Sequence, residues 1–379
     1  AYAWGRQRVV AGGCGVLQFM AVPVFLVLGL LSKENAIVLM PILLLMDALW
    51  YRFAGPDGRT LTLLRGFNLG AILTGALGLL AVLVLRYDWL AQRFVRRPFS
   101  LDERLLTESR VVWDYVGQWF YPDTGRMGIY HDDVLVSTSL TEPVTTLYAV
   151  LGWLLLLIAA LCCLRWRAGC LLVFALSWFT LGHAVESTVL PLELYFEHRN
   201  YFPALGLVLA LGVIWGEAAR RLPEALAPLL VWLGVIAFLL ATQTSSQVQV
   251  WSSRPLLLIN HYNGHPKSPR ANIDMAEQFA RLGDAERAYH YSARANRFSN
   301  VEREGDRELR DLALSCIARA PVLPGQIDSL GRADPQRPFS SVTTLLALVR
   351  LIQDDACPGI DVYEFADRMA QIFLVDDVR

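Results

Sequence analysis

Long apolar runs joined by short polar turns fill the first two-thirds of the chain, and shorter amphipathic segments fill the rest. A membrane-spanning helix needs about 20 apolar residues. Seven runs qualify on that scale: Val9–Leu31, Asn35–Phe53, Phe67–Leu85, Val144–Leu164, Cys170–Val185, Tyr201–Ala218 and Leu226–Ala241. The fifth and seventh are short, so polar ends or tilt must complete them. The pattern predicts an all-α protein: a polytopic helix bundle over residues 1–243, then a small helical domain over residues 244–379.

The short loops orient the bundle. Arg6 and Arg8 precede the first run. Arg52, Arg59 and Arg65 follow the second, Arg165 and Arg167 the fourth, and Arg220 and Arg221 the sixth. With seven spans these four clusters share one side, which the positive-inside rule makes cytoplasmic. The opposite side receives the turn Ser32-Lys33-Glu34, a loop over about residues 86–143, the stretch Glu186–Tyr201, and everything after the last span.

The long loop carries a helix signal of its own. Ser100 with Glu103 three residues on forms a capping box, and Pro122 supplies a stop. The expected helix covers about residues 101–120. Leu105, Val112, Val116 and Trp119 share its apolar face, and its aromatic residues suit a position at headgroup level. Beyond the spans, residues 271–300 read as two short helices around Leu282-Gly283-Asp284. Met275, Ala276, Phe279, Gly283, Ala288 and Ala295 sit there at tetratricopeptide spacing. Further helices are expected over Arg303–Ala318, Val342–Ile352 and Val362–Leu374, with a loop over Gly325–Phe339.

Composition agrees with this division. The 379 residues are 54% hydrophobic, above the 45–50% or so of soluble domains. A net charge of −1 argues against a nucleic-acid binder. The first residues enter a membrane run without a signal-peptide pattern, so the chain reads as an N-terminally trimmed part of a longer protein. Cys14, Cys162, Cys163 and Cys170 lie in apolar runs and behave as small buried hydrophobes. Cys316 and Cys357 form either one disulfide, if their domain is periplasmic, or two buried thiols. No Cys/His spacing resembles a zinc site, and the residues leave a divalent metal open without indicating one.

Candidate chemistry gathers on the outer side. Charge at a helix mouth is costly unless it is paired or used. Only Lys33 and Lys267 are lysine among 34 basic residues. Lys33 either snorkels beside an interfacial Glu34 or holds a phosphate with Glu34 setting its position. Arg199 can grip a phosphate bidentately or close an internal pair with Glu186 or Glu197. His198 can move a proton near neutral pH, and Glu186 or Glu197 can act as a base. Tyr201 sits at the interface, whereas Asp47, Gln18 and His183 read as structural. Glu108, Arg110, Tyr130, His131, Asp132 and Asp133 belong to the long loop, and Arg93, Arg96 and Arg97 suit anionic headgroups.

Three blocks together resemble a known family. They are Leu30-Leu31-Ser32-Lys33-Glu34-Asn35-Ala36, then Arg104–Tyr115 followed by Gly128–Asp133, and finally Glu186–Pro203. The resemblance is to GT-C type glycosyltransferases that carry C-terminal tetratricopeptide repeats, such as the transmembrane and tetratricopeptide O-mannosyltransferases. It implies inverting transfer of a sugar from a polyprenyl-phosphate donor to an outer-side acceptor, often a protein hydroxyl. A carboxylate takes the acceptor proton, and cations offset charge on the leaving phosphate. By this resemblance Lys33 and Arg199 hold the donor phosphate. Glu34, Glu108, Arg110, Tyr130, His131, Asp132 and Tyr201 shape the site, and Glu186, Glu197 and His198 are secondary catalytic candidates. The family's acidic motif lies in an outer loop before the Ser-Lys-Glu turn, so the base is expected upstream of this chain. The implied setting is a bacterial inner membrane with a periplasmic C-terminal domain, the bilayer, the polyprenyl donor and a periplasmic protein being the partners. Two alternatives stay open: a non-catalytic anchor presenting a helical protein-binding module, and a polymerase or ligase of polyprenyl-linked glycans.

Overall fold

The computed structural model describes residues 1–56, 58–95, 97–299, 304–322, 324–330 and 342–374. It is helical throughout and forms two compact units. The first comprises Ala1–Pro122 with Leu135–Leu239, and the second Asp123–Val134 with Leu240–Arg379. The boundary expected at residue 243 therefore lies at 239, and part of the long loop belongs to the second unit.

The first unit begins with α1 (Tyr2–Val10) and α2 (Val16–Ser32). The run expected as one span from Val9 is thus broken. Gly12 sits at φ +78, a left-handed conformation that glycine adopts without steric cost. A composite helical segment, Glu34–Tyr51, follows and includes α3 (Leu39–Leu45). Next come α4 (Thr62–Leu85), α5 (Tyr87–Gln92) and α6 (Leu101–Phe120), then α7 (Thr145–Cys163), α8 (Arg167–Gly182), α9 (Tyr201–Arg221) and α10 (Leu226–Trp251). Among the described residues five segments are long and apolar enough to cross a membrane: Glu34–Tyr51, Thr62–Leu85, Thr145–Cys163, Glu197–Arg221 and Ala227–Trp251. The other two expected spans appear as the shorter apolar helices α2 and α8. Side chains such as Leu63, Val84, Val231 and Phe238 are exposed. Helices apolar all round need an apolar surrounding. Cys14 and Cys162 share that exposure, contrary to their expected burial, while Cys170 is buried.

Helix α8 packs against α9 more closely than any other pair in this unit. Gly206 allows it, because a Cβ there would lie 2.5 Å from the Ala175 carbonyl oxygen. Helix α6 starts at the expected capping box: the Glu103 amide donates to Ser100 Oγ at 3.2 Å, and the Ser100 amide to Glu103 Oε2 at 2.7 Å. The apolar face expected at the membrane surface is not the buried one. Leu101, Arg104, Thr107, Glu108, Val111 and Tyr115 point inward, while Leu105 and Trp119 are exposed. The helix turns charged residues inward because the segment it covers needs donors, as the site makes plain.

The arginines of the four loops meet at one end of this unit. Arg6 Nη2 donates to the Ala54 carbonyl at 3.0 Å, and Arg52 Nη2 to Cys170 Sγ at 3.1 Å. Arg167, Arg220 and Arg221 line one groove with Trp50. Arg6 is fully paired there, its Nε lying 2.6 Å from Asp47 Oδ1 with both side chains buried.

The second unit contains α11 (Arg254–Gly264), α12 (Pro269–Arg281), α13 (Ala285–Phe298), α14 (Glu304–Ile317), α15 (Pro324–Leu330), α16 (Val342–Gln353) and α17 (Val362–Leu374). Helices α12 and α13 form the expected hairpin. Ser268 and Asp284 cap them, and Gly283 turns between them at φ +79. Ala276, Ala280 and Ala288 pack with Leu314 at its centre. Helix α15 occupies part of the segment expected as a loop over Gly325–Phe339; residues 331–339 lie outside the described residues, as do Arg96 and Arg303. Cys316 and Cys357 are disulfide-bonded, which decides between the two states left open. The bond lies within the cluster of Leu309, Leu312, Leu348 and Phe365.

Candidate functional site

The segment from His183 to Asn200 crosses the end of α8 to the start of α9 mostly without regular structure. Its carbonyls need donors, since non-helical backbone at membrane depth persists only where protein satisfies it. Arg104 supplies them. Its guanidinium donates to the carbonyls of Glu186 at 2.5 Å, Leu192 at 2.6 Å and Thr188 at 2.8 Å. Five donors in a rigid fork suit that task. Tyr115 adds a second fastening: its hydroxyl donates to the Phe196 carbonyl at 3.0 Å and accepts from the Phe196 amide at 2.8 Å. Asn200 Nδ2 donates to the Tyr115 carbonyl at 3.1 Å, and Tyr195 donates to Asp114 at 2.6 Å. Helix α6 is therefore the template for this segment.

The segment so held presents Glu186 to two cations. Lys33 Nζ lies 2.8 Å from Glu186 Oε1, and Arg199 Nε lies 3.7 Å from Glu186 Oε2. Asn35 Nδ2 donates to the same carboxylate. Glu186 and Arg199 are buried, whereas the Lys33 side chain is 53% exposed. Arg199 also donates to the Glu193 carbonyl and lies over the Phe196 ring. Within this cluster two cations face one carboxylate. A cavity of about 340 Å³ opens beside them, lined by Lys33, Asn35, His198, Arg199, Tyr201 and Phe202 among others.

Sequence reasoning anticipated Lys33 and Arg199 at one place, and the structure brings them together. Tyr201 and His198 line the same cavity. Glu34 does not position Lys33: it is exposed and forms no ion pair among the described residues, and Glu186, distant in sequence, takes that role. Glu197 does not line the cavity and lies in the field of Tyr115 and Tyr195. Glu108 is buried beneath, its carboxylate 2.9 Å from Arg104. Burial pushes the Glu108 carboxyl up to about 7, against the pull of Arg104 and the Ser187 hydroxyl. Arg110 donates to the Leu135 carbonyl at 2.9 Å and Ser137 Oγ at 3.1 Å, so it ties down the loop after residue 134.

Tyr130, His131 and Asp132 belong to the second unit. Tyr130 donates to Asp274 at 2.7 Å, and Asp132 accepts from Ser268 Oγ at 2.5 Å. His131 packs edge-on to His265, which in turn pairs with Asp133 at 2.8 Å. These contacts anchor residues 123–134 to α11 and α12. Arg104 and Asn35 are the site residues that sequence reading passed over. Arg104 had a usable signal, since it shares a 3.6-residue period with Leu101, Glu108, Val111 and Tyr115; Asn35 had none beyond its place beside Lys33. Among the described residues no three His, Cys, Asp or Glu side chains cluster as metal ligands do. In comparison with known proteins, the chain matches no family model, no curated protein and no solved structure.

Proposed function

We propose that this chain is a membrane-embedded glycosyltransferase that takes a sugar from a polyprenyl-phosphate donor on the outer side of a bacterial inner membrane and passes it to a periplasmic acceptor, most readily a protein. The observation that carries the reading is the meeting of Lys33 and Arg199 on one carboxylate at the wall of one cavity. The two cations suit a phosphate, the half-exposed Lys33 is accessible to it, and the apolar cavity wall suits the first isoprene units. Charge developing on the leaving phosphate is stabilised by such preplaced cations without reorganisation. His198 and Tyr201 stand where they can contact the donor sugar. The blocks that resemble GT-C enzymes with tetratricopeptide repeats include these same residues, and the α12–α13 hairpin supports a single such repeat. Seven spans, counting α2 and α8, agree with the gathering of loop arginines at one end. The disulfide supports a periplasmic second unit, because such bonds persist in oxidising compartments.

Transfer of a labelled sugar from a polyprenyl-phosphate donor tests the reading in the full-length protein. Arg199→Ala should lower turnover about a hundredfold, as loss of a transition-state donor does. Lys33→Ala, at a half-exposed site that folding tolerates, should lower it about tenfold. Undiminished transfer in both variants would remove the two cations from the donor site. One observation favours a second reading, a non-catalytic anchor presenting a helical module: both cations already have a carboxylate partner. On that reading neither wild type nor either variant transfers sugar, and partner capture by the second unit is unaffected by Lys33→Ala. Cysteine labelling from either side checks the topology, and a cytoplasmic C-terminus would overturn it.

A further inference from the structure

The opposite end of the α8–α9 pair holds a larger hollow that the proposed donor chemistry does not use. Arg167 and Gly182, at the two ends of α8, are about 22 Å apart along the helix, and they line this hollow and the Lys33 cavity respectively. Its volume is about 890 Å³, and its walls are mostly apolar side chains of α8 and α9. Gly212 and Gly216 leave its floor open, with no atom within 4 Å of where a Cβ would stand. Its mouth carries Arg167, Arg220 and Arg221. Glu217 is the one carboxylate among the lining residues, and it pairs with Arg221 at 2.7 Å and with Arg220 at 3.9 Å. Three arginines against one glutamate leave two positive charges at the mouth.

We infer that this groove is a binding site for one anionic phospholipid of the arginine-rich leaflet, its phosphate at Arg167 and Arg220 and an acyl chain along Gly212 and Gly216. Length supports the assignment. From Arg220 to Val208 the groove follows twelve residues of α9, about 18 Å, and one leaflet of hydrocarbon is about 15 Å thick. Charge supports it too. Basic pockets between spanning helices on the cytoplasmic side suit anionic headgroups. The rival occupant is a second copy of this chain, since two glycines four residues apart favour helix pairing. A symmetric contact along α9 would bring the Arg220 and Arg221 of both copies together, and that repulsion argues for the lipid.

The test uses the full chain purified in detergent and native mass spectrometry with added phosphatidylglycerol or phosphatidylcholine. One phosphatidylglycerol should be retained in preference to phosphatidylcholine. Arg167→Gln and Arg220→Gln should each weaken retention about fivefold. Gly212→Leu with Gly216→Leu should abolish it by filling the floor, while Arg86→Gln, outside the groove, leaves it unchanged. Equal retention of both lipids, insensitivity to the groove variants, or a dimer that the leucine variants dissolve would overturn the assignment. None of these readouts depends on sugar transfer, so the failure of one proposal leaves the other standing.

Discussion

Asp47 and Glu186 are both buried carboxylates of the first unit, and they are wired differently. Asp47 meets one arginine, Arg6, together with the Tyr2 hydroxyl, and all three close on themselves. Glu186 meets two cations and an amide, and one of those cations reaches solvent. The first arrangement is neutral and sealed, so it can only hold helices together. The second sets two cations at a cavity wall, so it can hold an anion. Burial alone does not mark a functional carboxylate; the count of opposite charges around it and their access to solvent do.

The largest effect that would sharpen this contrast is at Arg6. Arg6→Ala leaves Asp47 uncompensated in the interior, where breaking a buried pair costs about 3–5 kcal/mol. Thermal unfolding in detergent should show the loss, while Arg6→Met with Asp47→Leu should recover most of it. A stable single variant would mean that Asp47 is not held as a closed pair.

Glu108 lies between the two types, and its pH dependence is the next effect in size. Its carboxyl sits at about 7 in the folded chain against an ordinary 4.5. The native state therefore binds this proton more tightly than the unfolded chain. Its contribution is fully present below about pH 4.5 and is lost as pH rises to about 7. The span is on the order of 3 kcal/mol. Arg104 on the same helix, and Glu186, Ser187 and Arg199 from the facing segment, set this environment. Glu108→Gln should flatten the stability profile between pH 4.5 and 7.5 relative to wild type. Parallel profiles for the two proteins would show that Glu108 does not titrate there.

Two smaller effects complete the contrast. Ser100→Ala removes the capping box of α6, the helix that templates the Glu186 segment, and should cost about 1 kcal/mol. Any loss of sugar transfer beyond that loss of folded protein would show that the template's position matters to the cavity. Lys33→Ala should change stability by no more than about 0.5 kcal/mol, because exposed pairs contribute little. A loss as large as that of Arg6→Ala would erase the distinction between the sealed pair and the open cluster.

Much of the fold was legible because it follows from local rules. The α6 boundaries came from Ser100, Glu103 and Pro122, and the α12–α13 hairpin from Leu282-Gly283-Asp284 and the small and apolar residues around it. Apolar runs located the helices, although Gly12 broke the first of them. The inward face of α6 was not legible, because the apolar pattern marks only the face expected at the membrane surface. The helix instead buries Arg104 and Glu108, since the adjoining segment has carbonyls to satisfy. Cys316 and Cys357 could be named as a possible pair but not assigned, for only their approach in the fold decides whether they bond.

The site divides in the same way. Sequence alone determined that Lys33 and Arg199 stand at helix mouths and that helices dominate, because hydropathy, capping and charge act within a few residues. Tertiary structure alone decided that Glu186 joins Lys33 to Arg199, that Arg6 answers Asp47, and that residues 123–134 belong with the second unit. Two of the contacts span 41 residues, from Arg6 to Asp47, and 151 residues, from Asn35 to Glu186. At such separations a carboxylate's partner is set by which helices pack side by side, and no local pattern records that.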